Sequence, residues 1–591
     1  MSFFVADDKL PVLQQNISIP SENGLSYEST QTIEINIPSN TKFINPKECR
    51  LQFEVELKND ESSATIGRLR TMLDGEIGAQ SLIKDLRIYD GSKNQLLEEI
   101  LDYDVMVAMK YSYNTNDSLK NKRALLEGAQ VQDMPDCRGN LGSTKSMLNN
   151  CRENPYFFTD ESDPKTAEFS NAANMRKVKV ELPLHTGLFQ NEAIFPTMLT
   201  NGLHISITLQ EDKKVFRMLD SVALDRKTNL NPVFFSTNAC ATTGDVKNGS
   251  DLYTFVTFEN NNQFNVDNSP FVVGEYINLY NTDTGVSASF TISGSTTKAY
   301  PKIARIETSG NLVKYTLSAS LTNATGVTIS TDGKWVVHDD TIEPLLSDYN
   351  ARYTISNCEM ILQTIQADSR YEQGMMSKMN DGGVITYDFL SVTNYKYSQQ
   401  KSDRVANIRL NLNNSRMKSV ISVPCDADVY TMNDNMVGAN AQTGRSTYQV
   451  YPNGNRDYFS FSGRSGLVGI VDFISNYSWF YDGKLSPSRL VDLKKTSTRT
   501  SISAQGIIEL DKALSSAGID AHSMTSYIDN FCIGRAVALG KNNVYDARNK
   551  DFNLQVNYQE STAPTKPHLW HNFVFHIRRI NIQGDSVSVE V

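Results

Sequence analysis

Short segments in which apolar and polar residues alternate recur along the chain, and this period of two constrains the fold more than any other feature. In TIEINIP, residues 32–38, the side chains of Ile33, Ile35 and Ile37 fall on one side of an extended backbone. CRLQFEVEL, residues 49–57, repeats the pattern. Because successive side chains of a strand point to opposite faces, each segment predicts a strand with one buried face and one solvated face. Such strands favour antiparallel sheets that pack face to face.

The second half of the chain repeats this style. Alternation returns in GVITYDFLSVTNYKY (383–397) and VANIRLNLN (405–413), and it closes the chain in HNFVFHIRRINI (571–582). Two halves with roughly eight strands each predict two antiparallel β-sandwiches in tandem. The strands are unevenly spaced, which favours jelly rolls over immunoglobulin-type sandwiches, because loops at one end of a jelly roll can lengthen without disturbing the sheets.

The composition changes between residues 225 and 345. Apolar blocks become shorter there, and Thr, Ser, Asn and Gly become frequent, as in the turn Thr331-Asp332-Gly333. Short apolar runs closed by such turns predict a small all-β unit of about five strands. Strong alternation resumes in YTISNCEMILQTIQ (353–366), so the unit is predicted to be an insertion.

Three segments predict helices in the loops. LLEEILDYDVMVAMKY (96–111) places its apolar residues near one helical stripe. Ser486-Pro487 has the form of a cap followed by proline at the first helical position, and it opens SRLVDLKK. LDKALSSAG (510–518) ends in Gly518, a common residue just beyond a helix C-terminus.

Composition limits the functional class. The 591 residues carry 57 basic and 67 acidic side chains, for a net charge of −10, which argues against DNA binding over the whole surface. No apolar run approaches the ~18–20 residues that span a bilayer, and the acidic N-terminus does not resemble a signal peptide. We therefore expect a soluble protein made in the cytosol. The seven cysteines are dispersed and include no CxxC pair, which predicts reduced thiols.

The connection between the strands at 177–184 and 203–209 is unusually apolar. It contains the six apolar residues Leu188, Phe189, Ile194, Phe195, Met198 and Leu199. An exposed apolar surface of this size is an aggregation risk for a soluble monomer, so we expect another subunit to cover it.

The ordered series of blocks resembles the double jelly-roll major capsid proteins of the polinton-like virus, virophage and adenovirus lineage. The residues that carry the resemblance are FINPKECRLQFEVEL, GAQSLIKDLRIYDGSKNQLLEEILDYDVMVAMKYSY, VELPLHTGLF with IFPTMLTNGLHISITLQ, YTISNCEMILQTIQADSRYEQGM, GVITYDF with NYKYS, NIRLNLNNSRMKSVISVP, NFCIGRAVALG, DFNLQVNYQ and NFVFHIRRINI. They cover nearly the whole chain outside 225–345.

The resemblance implies an all-β fold of two tandem eight-stranded jelly rolls with short helices in loops. The first roll would span 28–375, interrupted by a tower-like β domain at 225–345, and the second roll would span 380–591. Residues 1–27 would form an arm that orders on assembly. The implied function is that of a homotrimeric, pseudo-hexagonal capsomer in the icosahedral shell of a double-stranded DNA virus.

The resemblance also implies partners. The chain would bind itself, first as a trimer and then between capsomers, and would contact penton and minor capsid proteins in the virion. Synthesis and assembly would occur in the host cytoplasm or nucleus. The apolar connection is assigned to the trimer interface. Five basic residues, Lys484, Arg489, Lys494, Lys495 and Arg499, predict an inner patch facing the genome or an inner membrane, and a solvated surface is the alternative.

No segment predicts a catalytic, cofactor or metal site. His568, His571 and His576 have no Cys, Asp or Glu at ligand spacing beside them, so we expect surface or partner-packed histidines. The adjacent Glu98 and Glu99 are interpreted as a solvated pair rather than a glycosidase acid and base.

Two other functional classes stay open. The chain could be a viral attachment or spike protein whose 225–345 unit binds a host receptor or glycan. A carbohydrate-active enzyme with β-sandwich modules is the second alternative, although only three tryptophans, at 335, 479 and 570, are present to stack on sugars.

Overall fold

A computed structural model gives the architecture of the chain. The main ranges that it describes are 13–59, 69–73, 77–116, 177–220, 351–400, 402–426, 474–493, 504–522, 531–538, 543–558, 567–584 and 586–591, with single residues and short strands between them. In the strands of 252–338, only the backbone is described, except for the side chains of Ala304, Arg305 and Glu307.

Strands dominate the first half of the chain. Those before the insertion are β1 Leu13–Pro20, β2 Ser26–Glu28, β3 Thr32–Pro38, β4 Arg50–Asn59, β5 Leu69–Leu73, β6 Ile83–Asp90, β7 Leu96–Ile100, β8 Lys177–Pro183, β9 Gly202–Leu209 and β10 Phe216–Asp220. The inserted strands are β11 Leu252–Glu259, β12 Asn278–Asn281, β13 Phe290–Ile292, β14 Ile303–Ser309, β15 Leu312–Asn323 and β16 Trp335–His338, and β17 Ala351–Gln366 follows.

The second half has the same character. Its strands are β18 Ile385–Gln399, β19 Val405–Leu410, β20 Met417–Asp426, β21 Gly438–Asn440, β22 Arg445–Thr447, β23 Ile474–Tyr481, β24 Lys484–Asp492, β25 Lys495–Thr496, β26 Arg499–Thr500, β27 Ile533–Ala536, β28 Phe552–Tyr558, β29 His568–Gln583 and β30 Ser586–Glu590. The α-helices in the described residues are α1 Tyr103–Asn114, α2 Asp212–Val215, α3 Ser369–Asn380 and α4 Ala504–Ser516.

The first half forms two antiparallel sheets with a jelly-roll strand order. One sheet runs β1-β17-β4-β8, with the short β2 also paired to β17, and the other runs β3-β9-β6-β7. Strands that follow each other in the chain therefore often lie in opposite sheets. If the eight strands are counted in chain order, with β1 and β2 together as the first, the sheets read 1-8-3-6 and 2-7-4-5. This is the order of a jelly roll.

The second half repeats this jelly-roll order in the eight strands of its two large sheets. Its sheets run β18-β29-β20-β27 and β19-β28-β23-β24, which again read 1-8-3-6 and 2-7-4-5. In each roll an α-helix, α1 or α4, follows the fifth strand. The chain is thus a double jelly roll, as the sequence predicts.

The alternation seen in the sequence places the core. Ile33, Ile35 and Ile37 of β3 are buried, and so are Leu51, Phe53 and Val55 of β4, which lies in the facing sheet. Interdigitated side chains of the two inner faces form the interior of the roll.

The insertion lies between the seventh and eighth strands of the first roll. Its described strands form one sheet with the order β11-β15-β13, in which β14 also pairs with β15, and a second pair β12-β16. An inserted β unit at this place agrees with the predicted fold class, and its predicted bounds at 225 and 345 lie outside the described residues.

Residues 13–28 do not form a separate arm. β1 pairs with β17 along its whole length, from Leu13 opposite Gln366 to Pro20 opposite Glu359, and β2 pairs with the other end of β17. The expectation that residues 1–27 order only on assembly is therefore wrong for 13–27, because β17 of the same chain satisfies their backbone hydrogen bonds. Residues 1–12 lie outside the described residues.

Two of the three predicted helices need correction. Residues 96–100 form strand β7, and α1 begins only at Tyr103. Ser486-Pro487 lies in β24 rather than at a helix start. β24 is an edge strand of its sheet, where a missing N–H costs no sheet hydrogen bond. The third prediction is confirmed by α4, although α4 starts earlier, at Ala504. No helix among the described residues is long and apolar enough to cross a membrane.

Removal of a large side chain from the second roll tests its core. Trp479 of β23 is fully buried against Phe552 of β28, with ring centroids 5.2 Å apart. We expect Trp479→Ala to lower the free energy of unfolding by about 3–5 kcal/mol, since it leaves a cavity. The control Val405→Ala, at a site 43% exposed, should cost less than about 0.5 kcal/mol. Equal effects of the two variants in urea titrations would contradict this packing.

Candidate functional site

The candidate functional site is the junction where the two rolls of one chain meet. The apolar connection between β8 and β9 lies in this junction. Leu188, Phe189, Phe195 and Leu199 are buried there, and Ile194 and Met198 are half-buried against the same core.

The expected position of this connection is thereby corrected. The sequence analysis assigns its six apolar side chains to a contact with another subunit. Four of them are already covered by residues of their own chain, so they offer no surface to a neighbour. A role in the trimer interface stays a proposal only for Ile194 and Met198.

Close packing against β18 of the second roll explains this burial. The ring of Phe195 meets the ring of Tyr387 edge-on, with centroids 5.0 Å apart. The Tyr387 hydroxyl donates a hydrogen bond to the carbonyl of Ala193 at 2.8 Å, and the Asn191 side chain donates to the carbonyl of Asp388 at 2.9 Å. Aromatic packing and directional hydrogen bonds together fix the connection on the second roll.

Gly187 allows the two backbones to approach. A Cβ atom at this position would lie 2.0 Å from the carbonyl oxygen of Leu390 in β18. That distance is far below van der Waals contact, so any larger residue would push the rolls apart. Glycine is therefore required here by the close contact between the rolls and not by a turn conformation.

Glu98 of β7 is the buried charge at the centre of the junction. Its Oε1 accepts hydrogen bonds from the Gly187 N–H at 2.8 Å and from the Ser391 hydroxyl at 2.7 Å. Its Oε2 accepts from the Leu188 N–H at 2.9 Å. One carboxylate therefore ties together β7, the apolar connection and the second roll.

This environment shifts the pKa of Glu98. Complete burial raises the pKa of its carboxyl group, and the three hydrogen bonds together with the Arg578 guanidinium act in the opposite direction. Burial lowers the pKa of Arg578, whose guanidinium also donates to the Leu96 carbonyl at 3.3 Å. The interpretation of Glu98 and Glu99 as a solvated pair is wrong for Glu98, because β7 turns this side chain toward the second roll. No residue pattern next to Glu98 in the sequence signals this.

A second charged contact lies beside Glu98. Asp102, just before α1, forms a salt bridge of 2.6 Å with Lys396 and accepts a 2.8 Å hydrogen bond from Asn394. His571 of β29 lies 3.7 Å from the same carboxylate. The first roll thus brings acidic groups to the junction and the second roll brings basic and amide groups.

A buried polar cluster supports the start of the connection from inside the first roll. The Tyr111 hydroxyl donates to Glu127 at 2.7 Å and lies 2.7 Å from Nε2 of His185, and Lys110 lies 3.2 Å from Nδ1 of the same ring. Since Lys110 can only donate, the hydrogen bonds assign the Nε2–H tautomer to His185. The backbone N–H of His185 donates to the Tyr103 hydroxyl at 2.9 Å.

Burial shifts the acid–base behaviour of this cluster. It raises the pKa of Glu127 to about 7 and lowers the pKa of Lys110 to about 8. Burial also lowers the pKa of His185 well below its usual range, helped by the charge on Lys110. The neutral ring therefore forms hydrogen bonds that position α1 against residues 184–186.

The predicted histidine group lies in strand β29. His568, His571 and His576 are all buried, and His576 is 3.0 Å from the Thr393 hydroxyl. They are packed rather than surface residues, since both faces of β29 are covered at this point. No group of three or more metal-binding side chains occurs in the described part of the chain.

The predicted basic patch is only partly placed. Lys484 and Arg489 are exposed on the edge strand β24. The side chains of Lys495 and Arg499, in β25 and β26, are not among those described, and Lys494 lies outside the described residues. A contact of these residues with the genome or an inner membrane stays a prediction. Of the seven cysteines, Cys49, Cys358, Cys425 and Cys532 are buried and form no disulfide.

Comparison with known proteins gives structural but not sequence matches. No family model and no curated protein matches the chain. The chain is similar to a protein of the PBCV-1 virus capsid, with 9% identity, full coverage of both chains and a TM-score of 0.46. It is also similar to the Faustovirus major capsid protein, with 8% identity, coverage of 97% and 91%, and a TM-score of 0.45. A Sputnik virophage structure gives 10% identity, coverage of 98% and 88%, and a TM-score of 0.44. The assignment of a double jelly roll rests on the strand order and not on these similarities.

Removal of the buried carboxylate tests the junction. Glu98→Ala leaves two backbone N–H groups and the Ser391 hydroxyl without their acceptor, and each such group costs about 1–3 kcal/mol. We expect a loss of at least about 3 kcal/mol in the free energy of unfolding, measured by urea titration. The matched control is Glu99→Ala, which removes a half-exposed 2.7 Å pair with Arg87 and should cost less than about 1 kcal/mol. A smaller loss for Glu98→Ala than for Glu99→Ala would refute the role of Glu98.

Glu127 predicts a pH-dependent stability. Its pKa is about 7 in the folded chain and about 4.3 when unfolded, so the folded state holds the proton more tightly. The resulting stabilisation is complete below pH ~4.3 and is lost as the pH rises through ~7. Glu127→Gln mimics the protonated acid. We expect it to match the wild type to within about 0.3 kcal/mol at pH 4 and to exceed it by on the order of 3 kcal/mol at pH 8. A difference that does not change between these pH values would contradict the shift.

Proposed function

We propose that the chain is the major capsid protein of an icosahedral double-stranded DNA virus and that it acts as a homotrimeric, pseudo-hexagonal capsomer. The observation that carries this proposal is the same jelly-roll strand order occurring twice in one chain, with the two rolls fixed to each other by a buried junction. The resemblance of the sequence blocks to capsid proteins supports the same role, and the similar solved structures come from virus capsids.

The physical reason lies in how a shell is tiled. Two similar rolls give one chain two similar outer edges, so three chains provide six. A closed trimer of this kind fits positions of sixfold symmetry with a single gene product. A permanent trimer interface should bury about 2,000 Å² or more, whereas contacts between capsomers should be smaller and more polar.

The junction is suited to this role. A capsomer edge keeps its shape only if the two rolls of a chain cannot move independently. Glu98, Gly187 and the Phe195–Tyr387 pair hold them by a hydrogen-bonded carboxylate, a close backbone approach and a ring contact. Chemistry on a small-molecule substrate is not part of this proposal.

The proposal extends to location and partners. The chain would reside in the virion after synthesis in the host cytoplasm or nucleus. It would contact other copies of itself, penton proteins and minor capsid proteins, and the exposed Lys484 and Arg489 would face the genome or an inner membrane.

The assembly state of the purified full-length chain tests the proposal. We expect sedimentation velocity to show a species of three times the monomer mass of 66.1 kDa, and negative-stain images to show pseudo-hexagonal particles. Stable monomers over the whole range of ionic strength would refute it. Monomers that bind a glycan array would instead favour an attachment protein.

A further inference from the structure

The two rolls repeat one set of backbone pairings. In each roll, a residue of the loop before the seventh strand pairs with a residue at or before the start of the third strand. This second residue pairs with a residue of the eighth strand, which in turn pairs with a residue of the first strand. In order, the four residues are Phe195, Ile44, Thr364 and Gln15 in the first roll and Tyr545, Met417, His576 and Ser391 in the second. This chain of pairings aligns the rolls residue by residue.

The alignment divides the known junction into two surfaces. The loop surface of the first roll is formed by residues 187–195 and includes Phe195. The strand surface of the second roll is formed by residues 387–391 of β18 and includes Phe389 and Ser391. Phe195 is fully buried and Phe389 is 3% exposed, because each surface covers the other.

The second roll has its own loop surface. Tyr545 takes the place of Phe195, and Val544 lies next to it. Val544 is 42% exposed, and Tyr545 is half-buried with its ring centroid 6.4 Å from that of Tyr481, so this surface is only partly covered within its own chain. Its apolar character is the same as that of the covered loop surface of the first roll.

The first roll also has its own strand surface. Gln15 of β1 takes the place of Ser391, and Leu13 therefore takes the place of Phe389 two residues earlier. Leu13 is 62% exposed. Both halves of a second junction are thus present on the chain and face solvent.

We propose that these two surfaces bind each other between neighbouring copies of this chain: Val544 and Tyr545 of one copy pack on Leu13 and Gln15 of the next. The contact joins two different surfaces, and such head-to-tail contacts close into a ring when the rotation between copies returns to the first copy, as in a trimer. The proposal rests on the proposed capsomer, and it assigns the subunit interface to specific residues. It also replaces the contact first assigned to Phe189 and Phe195, which are already buried within their own chain.

Charge variants of the full-length chain test the assignment. Leu13→Lys and Val544→Glu each place a charge in the proposed contact, and we expect each to weaken trimer formation at least about tenfold in sedimentation equilibrium. The double variant pairs the two charges across the interface and should recover at least about threefold of that loss. The control Val405→Glu changes a residue of equal exposure on β19 and should leave the association unchanged.

The outcomes separate this inference from the proposed function. A monomeric wild type would overturn both. A trimeric wild type whose Leu13→Lys and Val544→Glu variants are equally trimeric would overturn only the surface assignment. Circular dichroism should show that the variants keep the wild-type fold, because both side chains are exposed.

A covalent readout does not depend on the charges. With Leu13→Cys and Val544→Cys in one chain, mild oxidation should link neighbouring copies into disulfide-bonded dimers and trimers on a denaturing gel. The single-cysteine variants should not form the ladder. Absence of the ladder in a trimeric double variant would overturn the assignment.

Discussion

The structure depends on a buried carboxylate at the place where the two rolls meet. An isolated charge in such a place is very unfavourable unless hydrogen bonds compensate it. Glu98 obtains them from two backbone N–H groups of one roll's loop and from a hydroxyl of the other roll, so it is stable only when both rolls are docked. This makes the relative position of the rolls specific, because apolar packing alone would tolerate sliding.

The same requirement explains the apolar connection at 184–199. Phe195 packs between the rolls, Glu98 accepts from the N–H groups of Gly187 and Leu188, and Tyr387 of the second roll donates to the Ala193 carbonyl. What looks in the sequence like a liability for a monomer is an internal interface. The Val544–Tyr545 segment of the second roll is the corresponding surface, and it stays half-exposed although the Tyr481 ring lies 6.4 Å from that of Tyr545.

Local pattern predicted those parts of the fold that depend on one strand and its immediate neighbours. The isoleucines of β3 and the apolar residues of β4 are buried as their alternation indicates. Two predictions failed where pairing with the preceding strand overrides a local helical pattern. Residues 96–100 fit a helical stripe but pair with β6, and Pro487 fits a helix start but lies on a sheet edge. Glu98 and Glu99 are adjacent and chemically identical, yet only one of them meets the second roll.

The sequence by itself determined two successive sets of one-sided strands, an inserted β unit before the strand at 353–366, and an apolar connection that must be buried. Period-two alternation encodes these directly, because it specifies which face of each strand leaves water. Only the tertiary structure decided which surface buries the apolar connection and where Glu98, Gly187 and Leu13 lie. Those positions depend on contacts between residues hundreds of positions apart, such as Glu98 with Ser391, and no local period records them.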